Sequence, residues 1–355
     1  SKMKKRGKGM KKKVLTLLLT LVMIFTFASC GSDDSQAGQD SYNLKFSIAG
    51  SEAIPMNQLW QEYADKITEA TDGQVEFTFY FDSTLLEANS AYAQLVSGIA
   101  DIGDIHRYAS DGFNILEKWK GLTMGTPVEA QVDMAKQLFE DFPELQEEIS
   151  GVHSLAFAFD GGTYNLLTTD TPVESVDDMK GLVIWCEADF NDFIEGLGAT
   201  PVNTPWSEVY SSLQKNMYDG LLIAAETLES SNFAEVCSYV TMIDLNYLAA
   251  PGHFMNLDTW NSLTEDIQAV FNDPEIVGFI EDEREAISHS TDADSIAWAQ
   301  ENYGTTVIEL DDATRQEFID VLNESKKNIA AEFDSQGLPG TELLEAIEKY
   351  SKEYE

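Results

Sequence analysis

Arginine is missing from a long stretch of this chain. None occurs between Arg107 and Arg284, and the whole sequence sets 22 basic residues against 62 acidic ones. Such a surface repels nucleic acid and anionic lipid headgroups, and no nucleic-acid partner is expected. Cysteine is as scarce: Cys30, Cys186 and Cys237 are too few for a disulfide framework. The histidines His106, His153, His253 and His289 stand isolated, without the spacing of a metal motif. Nothing after residue 41 is long and apolar enough to cross a bilayer. Also absent are a Gly-x-Ser-x-Gly elbow, a phosphate loop ending in Gly-Lys-Ser/Thr and a His-Glu-x-x-His helix. Gly196-Leu197-Gly198 lacks the third glycine and the preceding strand of a dinucleotide fingerprint. Acid pairs such as Asp177-Asp178 and Asp311-Asp312 are accounted for by helix capping. No catalytic residue, metal or cofactor is expected, and the chain reads as a non-enzyme.

What is present begins at the N-terminus. A basic run from Lys2 to Lys13 leads into the uncharged segment Val14–Phe27, then Ala28-Ser29-Cys30. That succession is an export signal, and small residues before a cysteine resemble the lipobox of bacterial lipoproteins, with Phe27 in place of the usual Leu. The mature chain is expected to start at Cys30, lipid-anchored at the periplasmic or outer face of the cytoplasmic membrane. Removing residues 1–29 leaves 14 basic and 62 acidic residues, a net charge of −48. Residues 31–41 are polar and free of aromatics, as a tether requires, and the fold should begin near Tyr42.

Leu44, Phe46 and Ile48 alternate as a strand, and Trp60, Tyr63, Ala64 and Ile67 follow at helical spacing. Val75, Phe77, Phe79 and Phe81 alternate again, and a helix through Tyr92, Leu95 and Val96 leads to a short strand before Asp104. This βαβα order implies a mostly parallel sheet covered by helices. After a polar helical stretch from Glu129 to Ile149 the pattern restarts, with strands at Ser154–Phe159, Leu182–Cys186 and Gly220–Ala224 and helices near Asp189–Gly196 and Trp206–Asn216. The last third is helix-rich: Glu265–Phe271, Pro274–Asn302 and Asp312–Asp334, with one strand at Thr306–Leu310. The fold class is α/β with two lobes.

The segment from Pro205 to Gly220, Pro-Trp-Ser-Glu-Val-Tyr-Ser-Ser-Leu-Gln-Lys-Asn-Met-Tyr-Asp-Gly, is a helix opened by proline and feeding a strand. It closely resembles the E-x-Y-x-x-L-Q-x-x-x-x-D-G signature of DctP-like substrate-binding proteins of tripartite ATP-independent periplasmic (TRAP) transporters. Thr71-Asp72-Gly73-Gln74-Val75, the Gly98 to Ile102 step, Pro172 to Leu182, Leu197 to Val202 and the pair Asn256 and Trp260 resemble further family elements in collinear order. The resemblance implies a two-lobed periplasmic-binding-protein-like fold with an interlobe cleft and long C-terminal helices. Its lobes would be residues 42–163 plus 250–305 and residues 164–249, with 306–355 packing on both. It also implies a receptor that captures a small organic ligand and delivers it to a membrane permease. An ABC-type solute-binding lipoprotein would share the lobes but lack the Glu208 to Gly220 signature.

Most members hold a ligand carboxylate with an arginine in the strand after K-G-L, because a guanidinium fork matches a carboxylate bidentately. Aligned from Lys180-Gly181-Leu182, that position is Trp185. A second frequent arginine falls near Tyr164, and the D-G-Q-E-N-P run reads Asp219-Gly220-Leu221-Leu222-Ile223-Ala224. The ligand-binding candidates are therefore Trp185, Tyr164, Glu187, Trp206, Ile223, Phe190, Asp160 and Arg107. A lining of aromatic and acidic groups suits an aromatic, largely apolar or cationic compound, by stacking and cation–π contact. Arg107 is the alternative anchor for a C4-dicarboxylate or other organic acid.

Overall fold

A computed structural model describes residues 41–354, excepting 53, 88–89, 106–112, 128–130 and 161–162. The export signal, Cys30 and Arg107 lie outside the described residues. The chain runs β1 (Tyr42–Ser47), α1 (Pro55–Ala70), β2 (Val75–Tyr80), α2 (Ala91–Val96), β3 (Ile102–Asp104), α3 (Trp119–Thr123), α4 (Gln131–Asp141), α5 (Pro143–Glu148) and β4 (Val152–Ala156). Next come β5 (Phe159–Asp160), β6 (Thr163–Thr168), β7 (Val183–Trp185), α6 (Asn191–Gly196), β8 (Thr200–Val202), α7 (Trp206–Gln214), β9 (Gly220–Ala224) and α8 (Thr227–Ser230). β10 (Tyr239–Asn246), β11 (Ala249–Ala250) and β12 (His253–Asn256) bring the chain back. α9 (Leu257–Ser262), α10 (Glu265–Phe271), α11 (Pro274–Tyr303), β13 (Thr306–Glu309), α12 (Asp312–Gln336) and α13 (Gly340–Ser351) complete it.

Two main sheets form, in the orders β2-β1-β3-β12-β4 and β13-β10-β6-β9-β7-β8. β1 pairs in parallel with β2 and β3, as the βαβα order implies. Yet β12 lies antiparallel to both β3 and β4, and β6 lies antiparallel to both β9 and β10. Both sheets are mixed, which corrects the expectation of a mostly parallel one. The parallel rule follows from a helical crossover between neighbouring strands. β6 and β12 instead enter from the other sheet, through segments with no helix among the described residues.

Each sheet is covered on both faces. Leu44, Phe46, Trp60, Ile67 and Ile280 fill one face of the first sheet, while Leu95, Ile105, Trp119, Leu138, Phe254 and Ile347 fill the other. In the second sheet Tyr164, Leu166, Ile184 and Leu222 face Phe193, Phe318 and Leu322, whereas Leu167, Trp185, Leu221 and Ile223 face Val209, Phe233 and Ala299. α12 serves both lobes, since Phe318 and Leu322 belong to the second core and Ile329 and Phe333 to the first. The polar stretch before β4 is two helices, because Phe142 is extended and Pro143 opens a new one.

The signature segment is built around close approaches. Asp219 Oδ2 accepts the Val183 N–H at 2.7 Å, tying the start of β9 to β7. A side chain at Gly220 would bring its Cβ within 2.4 Å of the Leu167 carbonyl oxygen, so only glycine fits beside β6.

Candidate functional site

The chain leaves the first sheet after Ala156 and enters the second at Thr163; it leaves the second after Asn246 and returns at His253. The short β5–β11 pair lies between these crossings. The edges of the two sheets that meet there are therefore the one ending in Ser47, Tyr80, Asp104 and Ala156 and the one ending in Trp185, Ala224 and Asn246. In open α/β sheets ligands sit outside the carboxyl ends of strands, and this is where polar groups from two lobes converge.

On the first edge Asp104 is buried, and both its carboxylate oxygens accept the Ala49 N–H at 3.0 Å. Behind it His253 stacks on Trp60, with ring centroids 3.8 Å apart and planes 22° apart.

On the second edge the predicted residues divide between two faces of the sheet. Trp185 and Ile223 belong to the face covered by α7 and α8, with Trp185 Nε1 donating to the Thr204 carbonyl at 3.1 Å. Trp206, the first residue of α7, lies 5.4 Å from Trp185 and 5.5 Å from Phe233. Trp185 is 6% exposed and Trp206 41%, so the outer ring of this ladder is the accessible one.

Tyr164 and Phe190 belong to the opposite face, 5.6 Å apart, and Tyr247 packs edge-on against Tyr164 at 5.2 Å. The Tyr164 hydroxyl donates to Glu187 Oε2 at 3.3 Å. Lys120, on α3, donates to the same carboxylate at 2.9 Å and stands 3.4 Å from the Tyr164 hydroxyl. Its Nζ is 5.7 Å and 5.6 Å from the Tyr164 and Tyr247 ring centroids. Asp189 Oδ2 accepts the Gly121 N–H at 3.0 Å, so two successive residues of α3 are tied to the turn after β7. Burial, and then the Glu187 charge, push the Asp189 carboxyl up to about 7, against the pull of Lys120 and the Gly121 N–H.

Asp160 lies in β5, opposite Ala249 in the two-stranded pairing. Lys120 and Tyr247 escaped sequence reasoning because each meets its partners across 44 to 127 residues with no local motif. Lys120 is a cation beside Tyr164, near which the family resemblance leads one to expect an arginine. At the end of β9, Glu226 donates its backbone N–H to Asp292 Oδ1 of α11 at 2.7 Å. Burial raises both carboxyls, Asp292 to about 6, where the Glu226 N–H pulls it down and the Glu226 charge adds to the rise.

Two surface hollows lie elsewhere. One of about 310 Å³ is lined by Thr169, Asp170 and Tyr210, at the far end of β6 from the interlobe edge. The other, about 460 Å³, runs along the outer strand β13. Neither is at the edge where the lobes meet. Cys186 and Cys237 are free and buried, in the cores on opposite faces of the second sheet.

A family model, bacterial extracellular solute-binding protein, family 7 (DctP), matches residues 46–332. The C4-dicarboxylate-binding protein DctB of Bacillus subtilis is 23% identical over 312 residues, covering 82% of this chain and 83% of that protein. The ectoine-binding periplasmic protein TeaA of Halomonas elongata is 24% identical over 213 residues, 57% of this chain and 61% of its own. Among solved structures, a TRAP periplasmic solute-binding protein from Desulfovibrio salexigens superposes with a TM-score of 0.71 at 25% identity, covering 89% of this chain and 97% of that one.

Proposed function

This chain belongs to the bacterial extracellular solute-binding proteins of family 7, and from that membership we propose how it works as a TRAP-type receptor. It captures a small organic ligand at the interlobe edge and delivers it to the membrane permease. The ligand is held chiefly by aromatic surface, not by an arginine–carboxylate clamp. The observation that carries this reading is the replacement of both expected arginines by rings, Trp185 and Tyr164, at that edge. A carboxylate enclosed there without a free guanidinium would carry a heavy desolvation cost. A protein of this family named for C4-dicarboxylates and another named for ectoine show that ligand class varies among relatives. The organic-acid alternative rests on Arg107.

The receptor is exported and held at the membrane through an acylated Cys30, with residues 31–41 as tether. Its role is binding, with no catalytic residue assigned. Thermal-shift screening against dicarboxylates, sugar acids and aromatic compounds tests the ligand class. Strong stabilisation by succinate or a sugar acid, undiminished in Trp206→Ala, would remove the aromatic reading. The anchor is tested separately: Cys30→Ala should release the protein from the membrane fraction, and a wild-type product recovered wholly soluble would remove the anchor.

A further inference from the structure

Cys186, the residue after β7, is held by the chain beyond β8. Its N–H donates to the Val202 carbonyl at 3.2 Å, and its own carbonyl accepts from the Asn203 amide nitrogen at 2.8 Å. That second bond fixes which way the Asn203 amide faces, since only its nitrogen can donate there. Asn203 then meets Asn191, the first residue of α6, in a reciprocal pair. Asn191 Nδ2 donates to Asn203 Oδ1 at 3.1 Å, and Asn203 Nδ2 donates to Asn191 Oδ1 at 3.0 Å. Two amides bonded in this way have two lateral edges, each made of one nitrogen and one oxygen. The inner edge, Asn203 Nδ2 with Asn191 Oδ1, is taken up by the Cys186 carbonyl and by the Cys186 thiol, 3.6 Å from Asn191 Oδ1. The outer edge, Asn191 Nδ2 with Asn203 Oδ1, keeps one N–H and one lone pair that no described residue takes up. Asn203 is exposed and Asn191 half-buried, so a solute can reach that edge. It lies on the rim described above, because Thr204, next to Asn203, holds the Trp185 indole and leads on to Trp206.

We propose that the outer edge of the Asn191–Asn203 pair reads the polar head of the ligand, and that this head is a neutral amide or lactam on a flat, largely apolar body. This rests on the receptor reading above. A donor beside an acceptor is complementary to an acceptor beside a donor, which is what the C=O and the cis N–H of an amide present. An ionised carboxylate brings two acceptors, so one of its oxygens is set against Asn203 Oδ1. An amidinium brings two donors, and one of them is set against the Asn191 N–H. Either mismatch leaves a polar group without a partner in the complex, which is how a hydrogen-bonding site rejects a close analogue. A neutral head also needs no guanidinium. That agrees with the rings of Trp185 and Tyr164, which stand where the family resemblance leads one to expect arginines.

Three probes that share a phenyl ring test the head alone: benzamide, benzoate and benzamidinium, each titrated calorimetrically into the receptor at neutral pH. The expected result is benzamide bound at least tenfold tighter than either ion. Glu187 and Asp192, the neighbours of Cys186 and Asn191, would by charge alone favour benzamidinium, so that order isolates the hydrogen-bonding edge. Asn191→Asp turns the outer donor into an acceptor, and an acid in the first turn of a helix suits its dipole. This variant should weaken benzamide tenfold or more and strengthen benzamidinium by a similar factor, a reversal that lost stability cannot mimic. Its melting temperature should stay within a few degrees of wild type. Benzoate or benzamidinium bound tighter than benzamide by the wild type would overturn the amide class while leaving the receptor role intact. A preference for benzamide unchanged in Asn191→Asp would overturn the role of the pair. Binding of none of the three would overturn the proposal, and only the absence of any co-purifying small molecule by mass spectrometry as well would count against the receptor role itself.

Discussion

Trp185 lies beneath Trp206, their ring centroids 5.4 Å apart and their planes inclined by 59°. The inner indole is fixed by its bond to the Thr204 carbonyl, and Thr204 is in turn held by a 2.6 Å hydrogen bond with Tyr218. The outer indole is what a solute can touch. Of these two candidates from the sequence, Trp206 is the more exposed, at 41% against 6%.

Trp206→Ala should therefore leave the fold nearly as stable as before but weaken ligand binding by about 1–3 kcal/mol, as loss of an aromatic contact does. Trp185→Ala should cost roughly 3–5 kcal/mol of stability, because it empties a buried site. Urea denaturation and calorimetry on both variants check the split. Equal stability losses, or a binding loss confined to Trp185→Ala, would contradict it.

Much of the architecture was legible in the chain. β1 and β2 follow from alternation, β9 lies where the sequence placed a strand, and α11 and α12 match the expected Pro274–Asn302 and Asp312–Asp334, each opened by an aspartate and closed by a glycine in the structure. Besides the short β8 and β11, the strands that escaped notice were β6, β10 and β12. All four residues of β12 are buried, and β6 is buried from Tyr164 to Thr168, so neither shows the alternation that marks a half-exposed strand. β10 changes register between Thr241 and Leu245, with Asp244 at positive φ. Those strands carry the antiparallel pairings, which is why the sheets read as parallel. The candidate site was half legible: Trp185, Tyr164 and the Leu221–Ala224 run stood out as departures from the family resemblance, but the division of the set between two faces follows from sheet register, and Lys120 from tertiary packing.

Asn256 explains why one family element takes its form. Its side-chain oxygen caps α9 by accepting the Thr259 N–H at 2.9 Å, and its amide donates to the Leu95 and Val96 carbonyls at 2.8 and 3.1 Å. Asn256→Ala should cost about 2–4 kcal/mol, combining a lost cap with enclosed carbonyls left without a donor. Asn256→Asp should restore the cap but set a carboxylate against those carbonyls, so it should not recover the loss. Denaturant midpoints of the two variants decide the matter, and a fully stable Asn256→Asp would show that only the cap counts.

Cys186 and Cys237 should remain separate thiols even in an oxidising compartment, since they lie in cores on opposite faces of one sheet. Burial pushes both thiols up to about 12, which leaves little thiolate to react. Native protein treated with iodoacetamide at neutral pH should label slowly at both, and denatured protein rapidly. A linked Cys186–Cys237 peptide in a non-reduced digest of native protein would contradict the placement.

His153 and Asp189 should act on stability with opposite signs over one range of pH. His153 stacks on Trp260 at 3.5 Å, and burial lowers it from the usual 6.5 to about 4, opposed by a hydrogen bond with Asn272. The unfolded chain protonates this imidazole first, so its contribution is intact above pH 6.5 and is lost as pH falls toward 4. Asp189 is raised from 3.8 to about 7, so the unfolded chain ionises first as pH rises. Its contribution is intact below about 3.8 and is lost as pH climbs to 7. Acidification from 7.5 to 4.5 thus removes stability through His153 and returns it through Asp189, each on the order of 2–3 kcal/mol. His153→Gln should gain stability relative to wild type on acidification, and Asp189→Asn should lose it. Urea midpoints at the two pH values read both differences, with the remaining carboxylates common to all three proteins. Parallel pH profiles for wild type and Asp189→Asn would show that the Asp189 carboxyl titrates in its ordinary range.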